Sequence, residues 1–427
     1  MTSARITLLV AILIWATPLA TAAETALNVD RLVEEALQNN PEILAALEKA
    51  AAVRERVPQA GALDDPMLGL GIVNLPTNFS FSDEDMTMKE VSVSQKVPFP
   101  GKRGLMRGMT EKEADAAAID IVEVANRVTR EVKTAYYELS HAYSAEEVTR
   151  RNKQILENLV RIGETRYALG EGIQQEVLAA HLEISRMVDE LLMLEQNRAA
   201  LEAKLAWLLN READGVSGRP ATVVFNRTAI DIKRLQQAAI EANPMLKGLR
   251  KMVEAREKGK ELAERDVYPD FDFRLAYGQR DDGPGNVDRK DLMTGMVGIS
   301  IPIYYPLKQG PKVAESRADV RSAEARYRAA RNEVLYMVAS MGSMVQRLER
   351  QIELYQTGIL PQARLQAQST MSSYAVSKVD FNGLLESHIR LHRFELDYHQ
   401  ALTDYEKSLA ALEASVGQPL RPQEVAK

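Results

Sequence analysis

The chain is written twice. Asn40-Pro41 returns as Asn243-Pro244, 203 residues on (40 to 243). Pro66-Met67-Leu68-Gly69-Leu70 returns at the same offset as Pro269-Asp270-Phe271-Asp272-Phe273. Pro98 is matched by Pro302, and Tyr167 and His181 by Tyr374 and His388, so the offset grows to 204 and then 207. Two copies of one unit with small loop insertions drift in this way. A period this long excludes a solenoid, so each half is itself a unit of several elements.

The 427 residues carry a net charge of −6, which gives no reason to expect nucleic acid as a partner. The absence of cysteine excludes disulfides, thiolate metal sites and lipidation on an N-terminal cysteine. Arg5, the apolar run from Ile6 to Ala16, Pro18 and Ala20-Thr21-Ala22-Ala23 have the three-part form of a cleaved export signal, residues 1–23. The run is too short to span a bilayer comfortably, and no later run of transmembrane length follows. An exported chain of this kind is either soluble or inserted in an outer membrane as strands.

The pattern divides into a first repeat over 24–213, a linker over 214–229, a second repeat over 230–417 and a tail over 418–427. Each repeat opens with short amphipathic helices that meet at Asn-Pro. A strand pair follows, about 66–97 in the first repeat and 269–301 in the second. A long helical hairpin closes each repeat, about 102–209 and 312–416. The first hairpin reads as a helix from Lys102 to roughly Ile162, a turn through Ala168-Leu169-Gly170-Glu171-Gly172, and a return helix to Leu209. In the second, Gly358 and Pro361 predict a kink.

The strands alternate. Val91, Val93 and Val97 share one face, with Glu90, Ser92, Ser94 and Lys96 on the other. Phe271, Phe273, Leu275 and Tyr277 oppose Asp272, Arg274 and Ala276 in the same way. An ordinary half-buried hairpin has this pattern too. Export, and the position of the strands between very long helices, favour an apolar outside and a wet inside. Four strands cannot close a barrel and leave edges in need of partners, whereas three chains supply twelve. The hairpins carry heptad-like apolar stripes, such as Leu178, Leu182, Val188, Leu191, Leu192, Leu201, Leu205 and Leu208. The fold class expected is α+β, internally duplicated, with four transmembrane β-strands per chain in a trimeric 12-stranded barrel continuous with an α-helical barrel.

Several stretches, in this order and duplicated, resemble the TolC-type outer-membrane efflux proteins. They are Glu34-Glu35-Ala36-Leu37-Gln38-Asn39-Asn40-Pro41 with its echo from Gln237 to Pro244, the run from Gln95 to Arg103, and Arg166-Tyr167-Ala168-Leu169-Gly170 followed by Val177-Leu178-Ala179-Ala180. The resemblance implies a homotrimer in the outer membrane of a Gram-negative bacterium. It implies a periplasmic adaptor and an inner-membrane pump of the RND type as partners, no cofactor and no catalysis. In its second tip, Tyr374-Ala375-Val376-Ser377, serine stands where the family often has glycine.

The resemblance also implies that the tips meet the adaptor, with Arg166, Tyr167, Leu169, Gly170, Gly172, Tyr374, Ser377 and Lys378 as docking residues. Gln174, Gln175, Glu176, Asp380 and Asn382 are the candidates for lining the narrow entrance. Strand parity places Met67, Met86, Met88 and Met296 on the lumen side, where thioethers suit Cu(I) or Ag(I), though methionines also simply fill space. His388, His392, Glu395 and His399 recur at steps of four, three and four on one helix face, as weak metal-ligand candidates or merely a polar face. The reading is an efflux duct in the heavy-metal branch of the family. Multidrug efflux or type I secretion is the alternative, and a periplasmic adaptor or helical scaffold is less favoured. Adaptors carry many short strands and lipoyl-like modules, which this chain lacks.

Overall fold

Asn40 and Asn243 do the same physical work in the two halves. The Asn40 side chain accepts from the Glu42 N–H at the start of one helix and donates to the Leu208 carbonyl, 2.8 Å away, at the end of another. Asn243 accepts from the Leu246 N–H and donates to the Ser415 carbonyl, also at 2.8 Å. Each asparagine caps a helix N-terminus and satisfies a carbonyl that the end of a helix leaves without an intrahelical partner. Pro41 and Pro244 follow at the first helical position, where a missing N–H costs nothing.

The computed structural model describes residues 26–212, 215–216, 218–285 and 287–421. The export signal expected over 1–23, and the tail beyond 421, lie outside the described residues. The first half runs α1 (Val29–Asn39), α2 (Pro41–Gly61), β1 (Met67–Val73), β2 (Met88–Val97), α3 (Lys102–Ala168) and α4 (Gln174–Leu208). The second runs α5 (Ile232–Ala242), α6 (Pro244–Arg265), β3 (Phe271–Gln279), β4 (Leu292–Ile299), α7 (Gln309–Leu354), a π-helical turn (Tyr355–Ile359), α8 (Leu360–Ala375) and α9 (Phe381–Val416).

The helix α3 has 67 residues, on the order of 100 Å at 1.5 Å per residue. It continues six residues past Ile162 (162 to 168) because Gly163 does not break it. Gly163 is buried, and a Cβ there would lie 3.4 Å from the Phe381 ring, so the small residue lets α9 approach. The kink expected at Gly358 and Pro361 is a π-turn. Proline lacks the N–H of a regular turn and its ring crowds the carbonyl four residues back, so the extra residue relieves both.

The strands form one antiparallel sheet in the order β1-β2-β3-β4. The β2–β3 pairing, Val97 opposite Phe271 through Lys89 opposite Gln279, joins the halves. Strands β1 and β4 are left as free edges of an open sheet. Among the described residues no helix is long and apolar enough to cross a membrane.

Sheet and helices are fastened at the start of α3. Lys102 is buried, and its ammonium donates to the Tyr268 carbonyl at 3.0 Å and to the Asp270 carboxylate at 2.9 Å, with Asp266 3.6 Å away. A buried charge persists only when paired in this way. Gly101 precedes it at φ +91°, a left-handed conformation, and any Cβ there would collide with the Arg265 guanidinium.

Three apolar cores line the helices. Leu32, Val132, Leu139, Leu205 and Leu208 belong to the first. Leu246, Val338, Val345, Tyr405 and Leu412 belong to the second. Leu156, Leu159, Tyr374, Phe381 and Leu384 form the third, shared by both hairpins near their tips. The leucine stripe of α4 splits. Leu201, Leu205 and Leu208 are buried, while Leu178, Leu182, Val188 and Leu192 stay exposed, although Ala180 and Met187 of the same stretch are buried in the third core.

Asn40→Ala is expected to destabilise the fold by about 1–3 kcal/mol, through the lost cap and the unpaired Leu208 carbonyl. Asn40→Asp keeps the capping acceptor but not the donor, so it too should melt below wild type. Thermal denaturation followed by circular dichroism measures both.

Candidate functional site

Two turns side by side form the end of the molecule remote from the sheet. In the first, the Gly170 N–H donates to the Tyr167 carbonyl at 3.0 Å and the Glu171 N–H to the Arg166 carbonyl at 2.8 Å. In the second, the Ser377 N–H donates to Tyr374 at 3.0 Å and the Lys378 N–H to Ser373 at 2.9 Å. These are the same helix-ending motif, with the left-handed residue at Gly170 (φ +75°) and Ser377 (φ +56°). Serine accepts there a strain of roughly 1–2 kcal/mol that glycine does not bear. The departure at Ser377 therefore leaves the turn unchanged in shape and adds a hydroxyl.

That hydroxyl has a partner. The Arg166 guanidinium donates to Ser377 Oγ at 2.6 Å and to the Tyr374 carbonyl at 3.4 Å. It also lies over the Tyr374 ring, 4.9 Å from the centroid, and 3.7 Å from Glu171. Tyr374 is itself buried edge-on against Phe381 at 5.8 Å. One arginine thus ties the two hairpin tips together. Tyr167, Leu169, Gly170 and Lys378 remain exposed around it, and Gly172 is half-buried where a Cβ would lie 3.4 Å from the Tyr167 nitrogen.

Of the entrance candidates, Gln174 and Gln175 are exposed in the first turn of α4, and Glu176 is half-buried beside them. Asp380 caps α9 by accepting from the Gly383 N–H at 3.0 Å, and Asn382 is exposed two residues on. All five lie just inside the tips.

The sheet separates its chemistry by face. Leu68, Leu70, Val91, Val93, Leu275, Tyr277, Met293 and Val297 fall on one face by register and are exposed. The other carries Ser92, Ser94, Arg274 and Glu90, with Arg274 paired to Glu90. Met67 and Met296 share this polar face in one register row, separated by Ser94 and Arg274. Three strand spacings put their backbones about 14 Å apart. Met88 is on the same face but buried against Gly278, and it lies about 20 Å along the strand from that row. Met86 precedes β2 in the loop and is exposed. Within one chain these thioethers do not converge.

The histidine face of α9 is turned into the helix packing. His392 is buried, with Nε2 3.3 Å from Glu190 of α4. Glu395 is buried between Arg151 of α3 at 2.6 Å and Arg364 of α8 at 3.2 Å. Both ring nitrogens of His388 are buried without a hydrogen-bond partner, and burial holds its pKa below the ordinary value. Burial also lowers His399, which shares a small cavity with His141, Ser140 and Thr403. Among the described residues no group of three or more His, Asp or Glu side chains is gathered as a metal site. Glu395 acts as an inter-helix clamp, a role that helical spacing on α9 alone could not reveal because its partners come from α3 and α8.

The sequence pattern of the family described as "Outer membrane efflux protein" matches residues 32–211 and 235–418. The fold is similar to that of the outer membrane protein VceC from Vibrio cholerae, at 18% identity and a TM-score of 0.79, covering 92% of this chain and 97% of that one. The outer-membrane channel OprN is similar at 17% identity and a TM-score of 0.79, covering 92% and 91%. CusC, whose structures concern transmembrane channel formation, is similar at 15% identity and a TM-score of 0.78, covering 92% and 93%. No curated protein matches the chain in sequence.

Arg166→Ala is expected to release one tip from the other. Spin labels at Leu169→Cys and Val376→Cys, in a chain otherwise free of cysteine, should show a broader distance distribution by pulsed electron resonance once Arg166 is removed. An unchanged distribution would mean that the shared apolar core alone holds the tips.

Proposed function

The chain belongs to the outer membrane efflux protein family, a family of non-catalytic outer-membrane channels, and from that premise we propose that it is the passive exit duct of a three-part efflux assembly. Three copies close the duct. Their sheets join edge to edge into a 12-stranded barrel, with the apolar faces toward lipid and the Glu90–Arg274 face toward water. Their hairpins form a helical barrel in the periplasm. The observation that carries this reading is the open sheet with one exposed apolar face and two edges unpaired among the described residues, a combination that neither water alone nor lipid alone satisfies. The exposed leucines of α4 supply the matching helical seam between copies.

A periplasmic adaptor docks on the paired tips, and an inner-membrane pump of the RND type drives transport through it. The entrance lies just inside the tips, lined by Gln174, Gln175, Glu176, Asp380 and Asn382. For cargo, the heavy-metal reading has little geometric support. The methionines of the polar face are dispersed, and Glu395 is engaged by two arginines. A duct for organic compounds, or for a secreted protein, is the better-supported alternative.

Deleting the gene and challenging cells with hydrophobic drugs, copper, silver and zinc tests both levels. Drug sensitivity without metal sensitivity is expected, and sensitivity confined to metals would restore the metal reading. A protein that leaves the membrane fraction in mild salt as a monomer would refute the duct itself. Gly170 sits in open space at a positive φ, so Gly170→Trp should strain the tip and weaken adaptor capture by the purified trimer several-fold. Wild-type capture would remove this turn from the docking surface.

A further inference from the structure

The two strand-to-helix connections at the base of the sheet differ in one respect that the duplication does not explain. In the first half the connection folds inward. The Phe99 ring stacks on Tyr268 at 4.6 Å, and its N–H donates to Asp270 at 2.8 Å. In the second half the equivalent connection, residues 301–308, is longer and turned outward. Ile301, Ile303, Tyr304 and Leu307 are 72%, 70%, 66% and 82% exposed, and Tyr305 is 45% exposed. Lys308 follows them, exposed and outside every ion pair among the described residues.

The backbone of this segment is partly paired from within. The Leu307 and Lys308 N–H groups both donate to the Tyr304 carbonyl, at 3.0 and 2.9 Å, and the Gly310 N–H donates to Tyr305 at 2.8 Å. Ile303 donates to Ile301 at 2.9 Å. Pro302 and Pro306 have no N–H to satisfy. Gly310 favours this closure, because a Cβ would press on the Tyr305 carbonyl at 3.1 Å. The Tyr304 and Tyr305 N–H groups are left for water or headgroup oxygens, so the turn suits the wet boundary of a bilayer and not its hydrocarbon. By parity Ile301 also continues the apolar face of β4 set by Val297 and Ile299, and the tight turn about Pro302 follows it.

We propose that residues 301–307 form an interfacial anchor, one per chain, seated in the headgroup region on the periplasmic side of the outer membrane, with Lys308 toward lipid phosphate. The proposal rests on the barrel reading of the sheet. Continuity with the lipid-facing strand surface selects lipid as the occupant. The combination of tyrosines, branched aliphatics and a flanking lysine is the chemistry of a membrane interface.

Single cysteines at Leu307, Val297 and Ser322 in the full cysteine-free chain, spin-labelled and reconstituted as the assembled protein in phosphatidylethanolamine–phosphatidylglycerol vesicles, test it. Collision with oxygen reports lipid, and collision with a water-soluble nickel chelate reports solvent. Residue 297 is expected deep in lipid, 307 shallow but in lipid, and 322 in water. The oxygen-to-nickel ratio at 307 should exceed that at 322 several-fold. Shielding of 307 from both reagents would make the segment a contact between copies, and a ratio equal to that at 322 would make it a solvated loop. Either result overturns the anchor while lipid contact at 297 leaves the barrel standing. Absence of lipid contact at 297 overturns both.

Discussion

Everything in this molecule follows from two rows of backbone groups with nothing to bind. Strands β1 and β4 each leave one edge unpaired, and the sheet exposes an apolar face beside them. In water the face is costly, and in hydrocarbon the edges are. No rearrangement within one chain removes both costs. The exposed half of the α4 stripe poses the same problem at the other end of the chain. The proposed closed ring of copies, set in lipid, would remove all of them together.

The duplication shaped how much of this was legible in the residues. Period-two alternation set the strand faces, because a strand exposed to two solvents must alternate strictly. The Asn-Pro pairs marked both helix junctions, and the structure adds that each asparagine also reaches the end of a helix far along the chain. Long-range partners were what remained hidden. The helix read to roughly Ile162 runs on through Gly163, whose small size lets Phe381 of α9 pack against it. Ser377 stands where the family often has glycine, yet it takes the left-handed conformation and receives Arg166. The spacing of His388, His392, Glu395 and His399 correctly placed them on one side of α9. Spacing does not reveal what faces that side, and there Glu395 meets two guanidinium groups.

The joint at Lys102 lies between the two regimes of the molecule. Above it the backbone pairs between strands, and below it within helices. The buried ammonium, held by the Tyr268 carbonyl and by Asp270 and Asp266, pins the start of α3 to the segment that leads into β3. Sheet and helices are therefore joined at this level, and the π-turn interrupts the second hairpin farther along.

The Arg166 contact divides those far ends unequally. Its counterpart in the second repeat is Ser373, seven positions before Asp380, and serine cannot make the return grip. In the proposed ring of six tips, three neighbouring pairs are therefore clasped within a chain and the three pairs between chains have no such clasp. The rim is then a set of three stiff units separated by three compliant seams. A ligand that wedges between tips would meet its least resistance at the chain boundaries, so the ring would widen by parting molecules rather than by unfolding any one of them.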